Sequence, residues 1–497
     1  MAEIQERLFP RLQRLHRLRG AMALLSWDQE VTMPAGGTGS RAGHRAALAE
    51  VMHEELTDPD LGELLAELAG RDDLAPAARA NLREIRRARD RAVKLPAALV
   101  RELAEATALA HPDWVRARHD DDWARFAPHL TRLVELKRQE AAALGAADEA
   151  YDALLDEFEP GLRAAAVAEL FAGLRQALAE LVGRFTAADP ESRALPAGPY
   201  PIAAQEALSR RILTSMGYDF AAGRLDVSAH PFTESLGRGD VRVTSAFHAD
   251  NLLSGITSTM HEGGHALYEL GLPAELHEQP AGQAVSVGIH ESQSRLWENH
   301  VGRGLPFCRW LAPVLAETFP EQLAGLSPEA LYRAANVVQP SPIRIEADEV
   351  TYNLHIVLRF ELERALFAGE LEPAGVPDAW RAILRRDLGL TIADDRRGAL
   401  QDIHWCIGVF GYYPTYTLGN LYAATFWRQA RQELPELDAQ LARGQCGELL
   451  DWLRRRLHAR GSLVPAGELC REVTGAELSS DDFIAYLRDK HAALAEI

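Results

Sequence analysis

The amino-acid sequence predicts a mainly α-helical protein with one small β-sheet. Three observations carry that expectation. Residues 1 to about 187 are rich in Ala, Leu, Arg and Glu, all strong helix formers. Their apolar residues recur at helical spacing, as at Leu8, Leu12, Leu15 and Leu18 and again at Leu61, Leu64, Leu65 and Leu68. Only residues 224–247 alternate in the manner of strands, around a glycine-rich turn. Helical patterns then resume from about Leu252 and hold to the C-terminal end.

In chain order, the first helices are punctuated by Met33-Pro34-Ala35-Gly36-Gly37 and by Glu159-Pro160-Gly161, and read as an antiparallel run. A connector from Asp189 to Pro201 holds the breakers Pro190, Pro196, Gly198 and Pro199. A helix over Ala203–Met216 follows. The expected hairpin sets Leu225–Phe232 against Asp240–Ser245 across Gly237-Arg238-Gly239. Next comes a helix from near Ser254 to Leu270, stopped at Gly271. Gly263 and Gly264 lie inside it. Each costs roughly 1 kcal/mol relative to Ala, so their small size has a use; the expectation is close approach of a strand or of a substrate backbone. Further helices are expected at about 288–302, 346–368, 376–387, 397–408, 418–432 and onward. No internal repeat or low-complexity tail is present.

Composition narrows the function classes. Apolar content of 47% and charged content of 25% are those of an ordinary globular chain. No run approaches the ~18 apolar residues of a membrane span. A net charge of −19 argues against nucleic acid or an anionic membrane as partner, since both want a basic face. Cys308, Cys406, Cys446 and Cys470 form no C-x-x-C pair, and their scarcity fits a reducing compartment. The segment Met1–Leu8 lacks the apolar core of a signal peptide. The expected location is cytoplasmic.

The stretch with chemistry is His261-Glu262-Gly263-Gly264-His265. Two histidines four apart share one helical face. As neutral imidazoles they can hold one Zn²⁺, with Glu262 in reach of a water on the metal. With 17 histidines in 497 residues, composition alone supplies this pattern in roughly a few of a hundred such chains, so its neighbours decide. A catalytic site needs a third protein ligand and an open position. Downstream candidates are Glu269, Glu275, Glu278, Glu291 and Glu298. Glu269, on the same helix, projects from the wrong level, and Glu275 and Glu278 lie in a proline-bounded loop. Glu291 stands in a good second helix, 26 residues past His265, which allows an antiparallel return, and is the preferred ligand. A metal so held acidifies water and polarises a carbonyl, with Glu262 as general base. Oxyanion donors are sought among Tyr412, Tyr413, Tyr416 and His404.

Several separate signatures resemble the carboxypeptidase Taq family of zinc metallocarboxypeptidases. They are His230-Pro231-Phe232, Asp240-x-Arg242-x-Thr244, the histidine stretch, His290-Glu291-Ser292-Gln293, Ile343-Arg344-x-Glu346-Ala347-Asp348 and Gly398-x-x-Gln401-Asp402-x-His404-Trp405. Trp27-Asp28, Met33-Pro34 and Tyr151–Asp156 are similar too, so the likeness spans nearly the whole chain. The resemblance implies His261, His265 and Glu291 as zinc ligands, with Glu262 as general base. It implies a cleft closed at one end by the His230 and Arg242 segments, with Arg242 or Arg344 receiving the substrate's terminal carboxylate. Tyr416 becomes the transition-state donor, His404 a catalytic helper or a substrate contact, and Tyr412 a substrate contact. It further implies a saddle-like helical zincin body with a deep central groove, forming one domain over 1–497. Residues 1–187 would wall the groove and 200–497 would hold the zinc site. Members are commonly homodimers.

The expected protein is therefore a zinc carboxypeptidase of broad specificity acting on peptides with a free C-terminus. Co²⁺ is a possible substitute metal, because affinity order alone does not single out zinc. The alternatives are an oligo-endopeptidase with the same zinc chemistry and a non-catalytic helical peptide-binding protein. A purely structural zinc site is a further alternative.

Overall fold

The computed structural model describes residues 2–187, 190 and 194–496, so residues 188–189 and 191–193 of the connector region lie outside it. The chain forms two compact units, each assembled from separate stretches. The first gathers Met1–Ala92, Leu195–Ala335 and Tyr422–Glu477; the second gathers Val93–Ala194, Asn336–Leu421 and Leu478–Ile497. The N-terminal helical stretch is thus shared between them. Both units are helical, and the only sheet among the described residues has three strands, in the first unit. No helix among the described residues is long and apolar enough to cross a membrane.

In the first unit, helix Ala2–Val31 buries Leu8, Leu12 and Leu15 against Leu61, Leu64, Leu65 and Leu68 of helix Pro59–Ala69, with Leu74 and Ile85 in the same cluster. This is the apolar stripe seen in the sequence, turned inward. Asp58 separates this helix from its predecessor: its side chain accepts from the Asp60 N–H at 2.9 Å, and Pro59 sits where no N–H is needed.

The sheet is built from β1 (Leu225–Val227), β2 (Thr233–Gly237) and β3 (Asp240–Ser245), in the order β1-β3-β2. The expected hairpin exists, but its first strand is β2 rather than the Leu225 strand. The turn at Arg238-Gly239 is too short to reach back to β1, which instead runs parallel to β3. Gly237 and Gly239 supply the positive φ values, 145° and 81°, that the turn requires. Two of the sequence signatures are one structural unit here. The Thr244 hydroxyl accepts from the Phe232 N–H at 2.9 Å and from the Ser228 hydroxyl at 2.7 Å. The guanidinium of Arg242 lies 4.3 Å over the Trp27 ring and that of Arg224 lies 5.0 Å from it, so Trp27 packs the first helix against the sheet.

The second unit includes helices Ala97–Asp120, Trp123–Leu144, Ala164–Phe185, Tyr352–Ala368 and Val376–Leu388. Two expectations fail in it. The helix placed at 346–368 begins only at Tyr352, because the Asp348 carboxylate accepts from the N–H groups of Val350 and Thr351 at 2.9 and 3.1 Å and holds a turn. The helix placed at 397–408 does not form beyond a short 3₁₀ turn at Trp405–Ile407. Side chains satisfy that backbone instead. The Gln401 amide donates to the carbonyls of Pro342, Arg397 and Gly398 and accepts from the Arg344 N–H. In the first unit, helices Leu305–Thr318 and Pro328–Ala335 appear where the sequence pattern marked none.

Glu363 organises the interior of the second unit. Its fully buried carboxylate accepts from the Tyr151 hydroxyl at 2.7 Å, the Trp405 indole at 2.8 Å and the Gly411 N–H at 3.1 Å. Gly411 is obligatory, with φ 82° and the space for a Cβ occupied by the Leu154 backbone at 2.6 Å. Burial pushes the Glu363 carboxyl up to about 7 against these donors. The folded state therefore binds this proton more tightly than the unfolded chain. The resulting stability is full below the unfolded pKa of about 4.3 and is lost as pH rises through about 7. Denaturant titrations from about pH 5 to pH 8 should show a fall in stability that Glu363→Gln flattens. Glu363→Leu should instead cost ~2–4 kcal/mol throughout, since three donors lose their acceptor.

Candidate metal centre

Three elements of the first unit build the site. Helix Leu252–Gly271 starts at Asn251, whose side chain accepts from the Ser254 N–H at 3.2 Å. Helix Val287–Arg295 starts at Ser286, which caps the Ile289 N–H at 3.1 Å. The expected single helix at 288–302 changes pitch at Leu296 and continues as a π-helix to Gly302. The third element is β2, which lies along the histidine helix.

His261 and His265 sit one turn apart with ring centroids separated by 4.9 Å. Their Nε2 atoms face Glu291 Oε2 at 3.6 and 3.4 Å. Among the described residues, this is the one group of three whose donor atoms converge closely, all within 4.8 Å of one another. Two imidazole nitrogens and one carboxylate oxygen suit a borderline divalent ion such as zinc.

The glycine pair explains how Glu291 reaches this position, and differs from the expected use. A Cβ on Gly264 would stand 2.6 Å from the Gln293 carbonyl oxygen and 2.7 Å from the Ser294 Cα. A Cβ on Gly263 would meet Leu213 Cδ2 at 2.6 Å and Met216 at 2.9 Å, in helix Ile202–Met216. The close approach is thus made by two neighbouring helices of the same chain. It is not reserved for a substrate strand.

The donors are held from behind. His261 Nδ1 lies 2.9 Å from Glu298 Oε2. A carboxylate only accepts, so Nδ1 carries the proton and Nε2 presents its lone pair. Arg295 joins the two carboxylates, donating to Glu291 at 2.6 Å and to Glu298 at 3.1 Å, and Arg303 donates to Glu298 at 3.2 Å. Burial pushes Glu298 up, but Arg295, His261 and Arg303 overcome it and hold the group well below the usual carboxylate range. Burial brings His265 down to about 4, which keeps it neutral at pH 7. His261 moves the other way: burial opposes its charge, yet Glu291 and Glu298 raise its pKa. A nest that draws a proton to His261 would also draw a metal cation.

Glu262 projects beside these groups and accepts from the Thr233 hydroxyl of β2 at 2.8 Å. The same hydroxyl lies 2.8 Å from the Glu262 carbonyl oxygen. Burial pushes the Glu262 carboxyl up, partly offset by His261 and Thr233.

Of the remaining sequence candidates, Arg242 and His230 belong to the first unit. Arg242, on β3, is bound edge-on by Asp240 with two contacts of 2.8 Å, and His230 is exposed just before β2. Arg344, His404, Tyr412 and Tyr416 belong to the second unit. There Arg344 donates to Asp402 at 2.8 and 3.1 Å and to the Tyr352 hydroxyl at 3.3 Å. His404 Nε2 is 3.3 Å from the Tyr416 hydroxyl, and Tyr412 lies 5.2 Å from Tyr416 between ring centroids. Sequence reasoning missed Thr233, Arg295 and the supporting place of Glu298. For Glu298 a signal existed, since Glu291, Arg295 and Glu298 follow the i, i+4, i+7 spacing of one helix face. For Thr233 none did.

A buried H-E-x-x-H helix with a carboxylate brought to it from a second helix defines the metallopeptidase class. Residues 7–491 match the carboxypeptidase Taq (M32) metallopeptidase family, and the chain belongs to that family. It is 46% identical to thermostable carboxypeptidase 1 of Thermus thermophilus over 487 residues, 95% of each chain. It is 35% identical to thermostable carboxypeptidase 1 of Pyrococcus furiosus, over 98% of each chain. Among solved structures, an M32 carboxypeptidase from Deinococcus radiodurans superposes with a TM-score of 0.95 at 37% identity, covering 100% of both chains. The protein is therefore a metallocarboxypeptidase acting on peptides. The family implies a divalent metal, and the residues at the site fit one.

Gly264→Val should push the glutamate helix away and lower metal affinity by at least about tenfold. Competition with a chromophoric chelator measures this. Ala at the same position should do the same to a smaller extent, because the obstructing atoms are backbone and cannot swing aside.

Proposed function

We propose that the chain is a zinc-dependent carboxypeptidase of broad specificity, with His261, His265 and Glu291 as metal ligands and Glu262 as general base. The observation that carries this reading is the convergence of those three donors within 4.8 Å, one residue from a buried carboxylate. When bound there, the metal supplies Lewis acidity, which acidifies water and polarises a carbonyl. The work of the chain itself falls first to Glu262. Its carboxylate takes a proton from the attacking water and delivers it to the leaving nitrogen. A raised pKa suits a group that must hold the proton between those two events. Thr233 orients the carboxylate and offers a donor when it is ionised.

For the terminal carboxylate of the peptide we propose Arg242 or, as the second candidate, Arg344. Support comes from their preorganisation: Asp240 and Trp27 orient the first, while Asp402 and Tyr352 orient the second. A planar guanidinium held this way can meet a carboxylate with little further loss of entropy. His230 and Tyr412 are proposed as substrate contacts. Tyr416 is proposed as the transition-state donor, with His404 as its neighbour. The four cysteines are buried and unbridged, which accords with a reducing, cytoplasmic setting; the family resemblance extends the proposal to a homodimer, and the net charge of −19 argues against nucleic-acid or anionic-membrane partners.

Incubation of a short peptide with the zinc-loaded protein, followed by mass spectrometry, should give a ladder of single losses from the C-terminus. Internal fragments would overturn the reading in favour of an endopeptidase. A C-terminally amidated peptide should be cut at least about tenfold more slowly than the free acid, because an amide cannot make the charge-assisted pair with Arg. Glu262→Gln should keep stoichiometric zinc and lose at least about 10² in kcat. Glu291→Ala should lose the zinc itself.

A further inference from the structure

The second imidazole of the site has a support unlike that of the first. His265 Nδ1 meets no carboxylate; it lies 2.6 Å from Nδ1 of His290. His290 in turn places Nε2 2.9 Å from Glu269 Oε1. Glu269 also receives the Ser235 hydroxyl of β2 and lines a small polar cavity with His16, His277 and Gln283. The ring of His290 packs edge-on against Tyr268, with centroids 5.2 Å apart. All of these groups lie in the first unit.

The chain of contacts determines where the protons sit. Glu269 can only accept while ionised, so His290 Nε2 carries a hydrogen. A neutral imidazole with that hydrogen has a lone pair on Nδ1. Between His265 and His290 one Nδ1 must donate, and only that of His265 is left to do so. A neutral His265 protonated on Nδ1 then presents the Nε2 lone pair, which is the atom facing Glu291 Oε2 at 3.4 Å. The direction of the chain is fixed at its far end by Glu269, four residues past His265 and one turn along the same helix.

We propose that His290 and Glu269 form a positioning pair that selects the metal-binding tautomer of His265 and holds its ring in place. The inference rests on the reading of His261, His265 and Glu291 as metal ligands. It gives His290, which directly precedes Glu291, a role separate from packing. It also gives Glu269 a use although its level on the helix keeps it from serving as a ligand. The site thus has two supports of different chemistry: a carboxylate directly behind His261, and an imidazole relayed to a carboxylate behind His265.

The test uses the full chain and four variants, with zinc affinity read by chelator competition and cobalt substitution read by visible absorption. His290→Leu keeps an apolar body against Tyr268 but can neither accept from His265 nor donate to Glu269. Zinc affinity should fall roughly 10–100-fold, and the Co²⁺ absorption bands should change in position or intensity. His290→Gln retains one acceptor and one donor and should recover most of both signals. Glu269→Leu should reproduce the His290→Leu defect from one step further away, while Glu269→Gln, which keeps an acceptor, should be milder. The thermal midpoint of the metal-free protein should fall more in the Leu variants than in the Gln variants, so affinity and spectra are compared at a temperature where every variant is folded. Wild-type affinity and spectrum in both Leu variants would overturn the proposal. So would equal loss in His290→Leu and His290→Gln, which would mark a packing role. If His290→Leu does not fold, Glu269→Leu against Glu269→Gln decides in the same way. A wild-type chain that takes up no stoichiometric zinc would overturn the ligand reading itself, an outcome distinct from any pattern among the variants.

Discussion

The contact on which the site depends is the approach of two helix backbones at Gly264. Glu291 can face both histidines only if its helix comes close enough for the Gln293 carbonyl and the Ser294 Cα to occupy the place of a Gly264 side chain. Two interior glycines cost the histidine helix roughly 2 kcal/mol in propensity. The cost is offset by packing on both sides, since Gly263 admits Leu213 and Met216 of a third helix in the same way. The histidine helix is therefore held from two directions at the turn that carries the imidazoles. Its position is decided by backbone contact, which relaxes far less than a flexible side chain would.

Charge balance is the second constraint. Glu262, Glu269, Glu291 and Glu298 are drawn together in a partly buried region, with Arg295 and Arg303 as the guanidiniums among them. Ionised carboxylates away from water are costly unless paired. Arg295 meets that need by bridging Glu291 and Glu298, and the surplus negative charge is what makes the site welcome a cation. The π-helix after Arg295 belongs to the same solution. A wider turn re-aims the side chains that follow it, and Glu298, which lies in it, meets His261.

The second unit solves a different problem by similar means. Arg344 and Arg359 are buried, and the half-buried Asp402 accepts from both guanidiniums. The segment around Gln401 gives up helical hydrogen bonding, so that its side chains can serve this group and the loop at Pro342. A motif rich in polar side chains thus reads as helix by periodicity and folds as irregular chain, because side chains compete with the backbone for the same partners.

Much of this was legible in the amino-acid sequence. The helical class followed from composition and apolar spacing, and the inward faces of the first helices followed residue by residue, as at Leu8, Leu12 and Leu15. The H-E-x-x-H pattern on a helix put His261 and His265 on one face, because i, i+4 spacing is a local property of helix geometry. Family motifs marked the chain from Trp27 to Trp405. What only the tertiary structure decided is which distant groups meet. Thr233 reaches Glu262, Glu298 backs His261, and His290 joins His265 to Glu269. The parallel pairing of β1 and the register of the hairpin were likewise non-local. The physical reason is the same throughout: periodicity records which face of an element is apolar, whereas hydrogen-bond partners across elements are set by how closely backbones pack, and a glycine shows only that something comes near.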